Sequence, residues 1–208
     1  MFFLKSKFCK FFLVSTFLCL SQFSFAQQDV IEEIVVTGSY IKTSSKNDTS
    51  PVDIILRDEI DSIGAFLTSD IIKNLSINSG SENNTDAFTS GSTQGTSNIN
   101  LRGLGLSSTL VLIDGRRQTV TGATANDGSV FVNTSTIPLI AIQRVEVLKE
   151  GAASIYGSDA VAGVVNYIFR RDFKGFELDI SDKRTDAGNQ KDQSISFILG
   201  NQSNSLQW

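Results

Sequence analysis

The sequence predicts an α+β domain built on a small mixed sheet, followed by strands of the kind that form transmembrane β-barrels. Between residues 50 and 172, short β-branched and apolar runs alternate with helical spacings and with loops rich in Gly, Ser and Asn. After Gly175 the pattern changes to strict alternation of apolar and polar residues. These two patterns indicate two different kinds of structure in one chain.

The N-terminal segment, residues 1–26, has the three parts of a secretory signal peptide. Lys5, Lys7 and Lys10 are followed by an apolar stretch from Phe11 to Leu20. Ser24-Phe25-Ala26 then places small residues at the −3 and −1 positions of a cleavage site. We therefore expect an exported mature chain that begins at Gln27.

The composition of this mature chain excludes several classes of function. Cys9 and Cys19 leave with the signal peptide, and the sequence contains no histidine. A disulfide, a Cys/His zinc site, a thiol nucleophile and a Ser-His-Asp triad are therefore excluded, and we predict no cofactor and no metal site. Losing three lysines and no acid changes the net charge from −4 to −7, which argues against nucleic-acid binding.

A short β-branched run precedes the predicted domain, within residues 27–49. Ile34-Val35-Val36-Thr37 reads as a strand, and residues 41–50 are polar enough to predict a flexible tether. The run is interpretable as an ordinary edge strand or as a strand kept free to pair with another protein. Because the tether separates it from any partner in its own chain, we favour the second interpretation.

The domain predicted over residues 50–172 begins with a strand at 52–56 and two helices. The first helix, 58–67, is interrupted by Gly64, and the second, 68–75, is capped by Thr68-Ser69-Asp70. Two polar loops, 78–98 and 121–130, lack the apolar residues of a core element. Further strands are predicted at 99–102, 110–120 (a hairpin turning at Asp114-Gly115), 145–148 and 164–168, with short helices starting at 137 and 151.

Residues 173–208 carry the alternating strands. Their apolar positions are Phe176, Leu178 and Ile180, and then Ile195, Phe197 and Leu199. A barrel strand needs an apolar face for lipid and a polar face for the lumen, although an ordinary half-buried strand gives the same pattern.

Possible chemical motifs have simpler explanations. Gly103-Leu104-Gly105 lacks the third glycine of a dinucleotide fingerprint, because Ser108 stands at that position. Asp114 fits a turn better than a metal ligand. Five charged residues are candidates for catalysis, but paired charges explain them without chemistry: Arg102, Arg144, Glu146, Lys149 and Glu150.

Several elements, in this order, resemble the TonB-dependent outer-membrane receptors. Residues 33–38 resemble the TonB box of that family, and residues 101–103, 110–115 and 142–151 resemble successive elements of its plug domain. Residues 156–166, Tyr-Gly-Ser-Asp-Ala-Val-Ala-Gly-Val-Val-Asn, resemble the end of the plug. The resemblance implies a barrel of 22 strands around the plug, so we expect the chain to be a fragment with the first strands of a truncated β-barrel.

The resemblance also implies a function: active uptake of a bulky nutrient, an iron chelate or a carbohydrate-type solute, across the outer membrane of a Gram-negative bacterium. The periplasmic domain of TonB would bind Glu33, Ile34, Val35, Val36, Thr37 and Gly38. The ligand would contact Asn83, Asn84, Thr85, Ser92, Thr93, Gln94, Thr124 and Asn126 in the two polar loops. The alternatives are a stand-alone periplasmic binding or adaptor module made of the plug, and a secreted enzyme that works with carboxylates.

Overall fold

The computed structural model describes residues 34–35, 43–44, 52–82, 93–184 and 191–201. The predicted signal peptide, residues 1–26, lies outside these residues. Within the described part of the chain no helix is long and apolar enough to cross a membrane. The strands are β1 (Ile34–Val35), β2 (Thr43–Ser44), β3 (Val52–Leu56), β4 (Thr109–Ile113), β5 (Arg116–Arg117), β6 (Ile142–Leu148), β7 (Gly163–Phe169), β8 (Gly175–Arg184) and β9 (Lys191–Gly200). The α-helices are α1 (Arg57–Ile63), α2 (Thr68–Lys73) and α3 (Ala153–Tyr156).

A mixed five-stranded sheet with the order β3-β6-β7-β4-β5 forms the centre of the domain. Only the β4–β7 pair is parallel, with Leu110 opposite Val164, and the other three pairs are antiparallel. β4 lies inside the sheet and is buried over Thr109–Leu112, as the continuous apolar run predicts. The mixed sheet and the α+β class are therefore confirmed.

The main core lies between one face of the sheet and helices α1 and α2. Val111, Val145 and Val165 on the sheet pack with Ile60 and Ile71 on the helices. The alternation of side chains along each strand places these valines on the same face.

Local signals in the sequence set the ends of both helices. α1 ends at Gly64, whose φ of 66° is the left-handed conformation that suits glycine. At the start of α2, the carboxylate of Asp70 accepts hydrogen bonds from the backbone amides of Leu67 (3.0 Å) and Phe66 (3.1 Å). Partial burial acts to raise the pKa of Asp70, but these bonds and the neighbouring Lys73 lower it below the usual value. The cap is therefore Asp70, three residues into α2, rather than Thr68 or Ser69.

A segment without long helices covers the opposite face of the sheet. It runs from α3 through a 3-10 turn at Ser158–Ala160, and Ala152 and Ala160 pack on Leu110, Leu112 and Val164. The guanidinium of Arg117 donates to the carboxylate of Asp159 and to the carbonyl of Tyr156. The bond from Arg117 lowers the pKa of Asp159, while partial burial opposes this effect. The exposed ion pair between Arg117 and Asp159 thus holds the start of residues 156–166 against the sheet.

The predicted strand at 99–102 is wrong. Asn78 and Leu101 form an isolated bridge, but these residues do not join the five-stranded sheet. Two backbone bonds flank this bridge: the amide of Ser79 donates to the carbonyl of Asn100 (2.9 Å), and that of Arg102 donates to the carbonyl of Ile77 (2.6 Å). The amides of Asn100 and Leu101 donate to side chains, to Oδ1 of Asn78 (3.0 Å) and Oγ1 of Thr109 (3.0 Å). Arg102 then has a positive φ of 58°, which turns the chain. Likewise, the helix predicted from residue 137 is a 3-10 turn at Leu139–Ala141.

The Asp114-Gly115 hairpin is confirmed. Both residues have positive φ, 49° and 76°, as a two-residue primed turn requires. The neighbouring strand β7 holds the turn: the amide of Phe169 donates to Oδ1 of Asp114 (3.1 Å), and the amide of Gly115 donates to Oδ1 of Asn166 (3.0 Å). Asp114 is therefore a turn residue.

Strands β8 and β9 form an antiparallel hairpin over ten residue pairs, from Gly175 opposite Gly200 to Arg184 opposite Lys191. Phe176, Leu178 and Ile180 lie opposite Leu199, Phe197 and Ile195, and all six apolar side chains are exposed on one face. Glu177, Asp179 and Ser181 occupy the other face, opposite Ile198, Ser196 and Ser194. The predicted alternating strands are confirmed, with the face separation of barrel strands.

Candidate coupling segment and ligand-facing loops

The candidate coupling segment, residues 33–38, is described only at Ile34 and Val35. These two residues form β1, which pairs antiparallel with β2: Ile34 lies opposite Ser44, and Val35 lies opposite Thr43. The prediction that this strand has no partner in its own chain is therefore wrong, because the tether itself supplies one. Glu33, Val36, Thr37 and Gly38 lie outside the described residues.

After the coupling segment and β2, the next described strand of the chain is β3, at the edge of the sheet. β3 is the first element of the sheet, and β6 is its single neighbour in it. Five residue pairs join them, from Val52 opposite Leu148 to Leu56 opposite Arg144, and Lys149 makes an ion pair with Asp53 at the start of β3. The coupling segment is thus attached to an edge strand rather than to the middle of the core.

The first polar loop, residues 78–98, is described on both sides of a central gap. Asn83, Asn84, Thr85 and Ser92 lie outside the described residues. Gln94 is exposed, but Thr93 is only 2% exposed, and its hydroxyl donates to Oε2 of Glu82 (3.3 Å). Thr93 is therefore better explained as a structural residue of the loop than as a ligand contact.

The base of the first loop is held by buried hydroxyl and amide groups. The hydroxyls of Ser97 and Thr134 lie 2.6 Å apart, and both residues are fully buried. The amide of Ser97 also donates to Oδ1 of Asn133 (3.1 Å). Ser97 of this loop is thus fixed by residues 133 and 134, a structural role that the sequence does not distinguish from ligand binding.

The second polar loop, residues 121–130, exposes both candidate residues, Thr124 and Asn126. Ala125 between them is buried with Phe131 and Leu106, and this small apolar cluster anchors the loop. Asp127 accepts hydrogen bonds from the hydroxyl and the amide of Ser129, and these bonds lower the pKa of Asp127. The acidic residue of this loop is thus committed to its own turn.

Glu82 joins the two polar loops, a role that was not predicted from the sequence. Its carboxylate accepts the Thr93 hydroxyl from its own loop and the amide of Asn126 from the second loop, at 3.0 Å to Oε1. In the sequence, Glu82 is one acid in a run of Ser, Asn and Thr, and nothing there indicates a partner 44 residues away.

A cavity of about 420 Å³ separates the domain from the polar face of the hairpin. Arg57, Asp61 and the turn after α1 line one side, and Asp179, Ser181, Ser194 and Ser196 line the other. Where the chain enters the hairpin, Arg170 makes a 2.8 Å ion pair with Glu177 and lies 4.7 Å from the centre of the Phe173 ring. The hairpin thus faces the domain with polar groups and contacts it through charged residues.

A mixed-sheet domain that leads into a hairpin of this kind, polar toward the domain and apolar outside, has the architecture of a plug beside a membrane barrel. The sequence model of the TonB-dependent Receptor Plug Domain matches residues 44–164, and the chain belongs to this family. Members of the family are receptors of the Gram-negative outer membrane and not enzymes, so the predicted family and location are confirmed.

Solved receptor structures show the same fold. The ferric enterobactin receptor PfeA (mutant R480A) of Pseudomonas aeruginosa, in complex with enterobactin, is 25% identical with a TM-score of 0.54, over 72% of this chain and 22% of that one. The siderophore receptor PirA of Acinetobacter baumannii is 23% identical with a TM-score of 0.52, over 74% and 22%. The chain therefore spans about a fifth of the length of these receptors.

Proposed function

We propose that this chain is the plug and coupling region of a TonB-dependent receptor that takes up a bulky nutrient, with an iron chelate as the favoured class. The observation that carries the proposal is the family match over residues 44–164, flanked by a strand-forming segment and by a barrel-type hairpin. The names of PfeA and PirA as ferric enterobactin and siderophore receptors favour an iron chelate over a carbohydrate. The family match does not favour an adaptor module or a carboxylate enzyme.

In this proposal the plug closes the lumen of a wide barrel until a ligand binds. The periplasmic domain of TonB then pairs with residues 33–38 by strand addition, in which backbone hydrogen bonds supply most of the affinity. A pull on this segment passes through the β1–β2 pair and then reaches β3, the first strand of the five-stranded sheet along the chain and one of its edge strands. An edge strand has one neighbour to lose, so it is a suitable place for a rearrangement to start.

Proline at Ile34 or Val36 is expected to weaken binding of the TonB periplasmic domain by about tenfold or more. Each substitution removes a backbone donor from the added strand and restricts its φ angle. Calorimetry with the purified TonB domain measures the effect. Proline at Asn47, in the tether but outside the segment, is the matched control and should leave affinity unchanged. Equal affinity for all three variants and the parent chain would exclude residues 33–38 as the TonB site.

In the full-length receptor, replacing residues 84–92 by a Gly-Ser linker of equal length is expected to lower ligand affinity about tenfold. This range removes candidate contacts of the first loop but keeps Thr93 and the buried Ser97. Titration of outer-membrane preparations with ferric enterobactin and with an oligosaccharide measures affinity and distinguishes the two ligand classes. The amount of receptor in the membrane is the control for assembly. If the ligand that binds the parent receptor binds the variant with the same affinity, the first loop only closes the pore and does not contact the ligand.

A further inference from the structure

We propose that Glu82 is a positioning residue that sets the distance between the two polar loops before a ligand arrives. The inference rests on the proposed function of these loops as ligand contacts. It concerns a residue that does not itself touch the ligand: Glu82 is half-buried, and its carboxylate is occupied by protein donors.

The geometry around Glu82 connects three segments of the chain. Oε1 and Oε2 lie 3.0 and 3.3 Å from the backbone nitrogen of Asn126, and Oε2 lies 3.3 Å from the hydroxyl of Thr93. The backbone amide of Glu82 donates to Oδ1 of Asn98 at 2.8 Å. Residues of the first loop thus bind both the backbone amide and the carboxylate of Glu82, and the same carboxylate also binds the second loop.

A carboxylate is well suited to this position. The donors on the two loops are an amide and a hydroxyl, and an ionised carboxylate offers about four lone-pair sites without a hydrogen of its own. Bonds to a charged acceptor are also stronger than bonds between neutral groups. Glutamine keeps one oxygen but presents N–H groups to the other donor, so it would retain part of the bridge.

Two described backbone bonds of the second loop run within it or to its own end. The amide of Ala125 donates to the carbonyl of Ser129, and that of Thr121 donates to the carbonyl of Phe131. These bonds shape the loop but do not set its distance from the first loop. The bridge lies beside the exposed side chains of Gln94 and Asn126, one on each loop, so it holds both candidate contacts in register.

Order established before binding lowers the entropic cost of association. Loss of the bridge is therefore expected to leave the fold intact, to widen the range of distances between the loops, and to weaken ligand binding about five- to fiftyfold. Hydrogen exchange at the Asn126 amide, which donates to Glu82, should accelerate about tenfold or more.

The test uses the full chain with Cys9 and Cys19 replaced by serine, and spin labels on cysteines introduced at Gln94 and Gly122. Electron paramagnetic resonance measures the distance distribution in the parent, Glu82→Ala, Glu82→Gln and Asp127→Ala. Asp127→Ala is the matched control because this acid bonds within its own loop. We expect a broad distribution for Glu82→Ala, an intermediate one for Glu82→Gln, and no change for Asp127→Ala. Circular dichroism verifies that each variant is folded.

An unchanged distribution and unchanged exchange at Asn126 in a folded Glu82→Ala variant would overturn the inference, whatever the ligand does. A broadened distribution, together with unaltered affinity of the unlabelled full-length receptor carrying Glu82→Ala for ferric enterobactin and the oligosaccharide, would support the role of Glu82 and contradict the proposed function of the loops. Broadening together with weaker binding would support both.

Discussion

Replacing Gly163 by alanine is expected to destabilise the plug by roughly 2–6 kcal/mol, the sum of backbone strain and overpacking. Gly163 begins β7 with a φ of 145°, a conformation that side chains rarely tolerate. A Cβ there would lie 2.5 Å from the carbonyl oxygen of Leu148 and 2.7 Å from Cδ1 of Leu101. Neither neighbour has room to move, because Leu148 is paired with β7 and Leu101 is fully buried.

Urea unfolding followed by circular dichroism measures this loss. The matched control is Gly122→Ala in the second loop, where a Cβ would meet nothing within 4 Å. The control should change the free energy of unfolding by no more than about 0.5 kcal/mol. A similar effect of the two substitutions would show that the close approach at Gly163 does not limit stability.

The sequence predicted the sheet best where a local pattern determines the structure. The buried run of β4, the Asp114-Gly115 turn and the end of α1 at Gly64 depend on neighbouring residues, and all three are confirmed. The alternation in β8 and β9 also identified the apolar face of the hairpin. These features are readable because the backbone geometry and the side-chain pattern have the same period.

Prediction failed where polar side chains replace backbone pairing. Residues 99–102 have the composition of a strand, but the side chains of Asn78 and Thr109 accept the amides of Asn100 and Leu101, and backbone pairing is limited to one bridge with residues 77–79. The same reason hides the role of Glu82, since the loops contain many hydroxyl and amide groups that suit a ligand or a neighbouring loop equally well. Long-range partners of this kind depend on the tertiary fold and leave no pattern in the sequence.

The buried ion pair between Arg144 and Glu146 in the sheet is the second site where a substitution is expected to change stability strongly. Glu146 on β6 is fully buried, and its Oε1 lies 2.9 Å from both Nε and Nη2 of Arg144. Asn166 lies directly opposite Glu146 on β7, and its Nδ2 donates to Oε2 of Glu146 at 3.4 Å. Its Oδ1 accepts a hydrogen bond from the backbone amide of Gly115. The ion pair is thus part of a polar network that connects two central strands to the hairpin turn. It is explained by structure and requires no catalytic role.

Arg144→Ala is expected to cost about 3–5 kcal/mol of unfolding free energy, because it leaves a buried carboxylate without its cation. Adding Glu146→Gln to the Arg144→Ala background removes the buried charge and leaves residue 144 unchanged, so this double variant should be clearly more stable than Arg144→Ala. Lys149→Ala, which breaks the more exposed pair with Asp53, is the control and should cost at most about 1 kcal/mol. Urea unfolding of the parent, the two single variants and the double variant measures these differences in the free energy of unfolding. If the double variant is no more stable than Arg144→Ala, the cost comes from lost packing of the arginine side chain and not from the unpaired charge of Glu146.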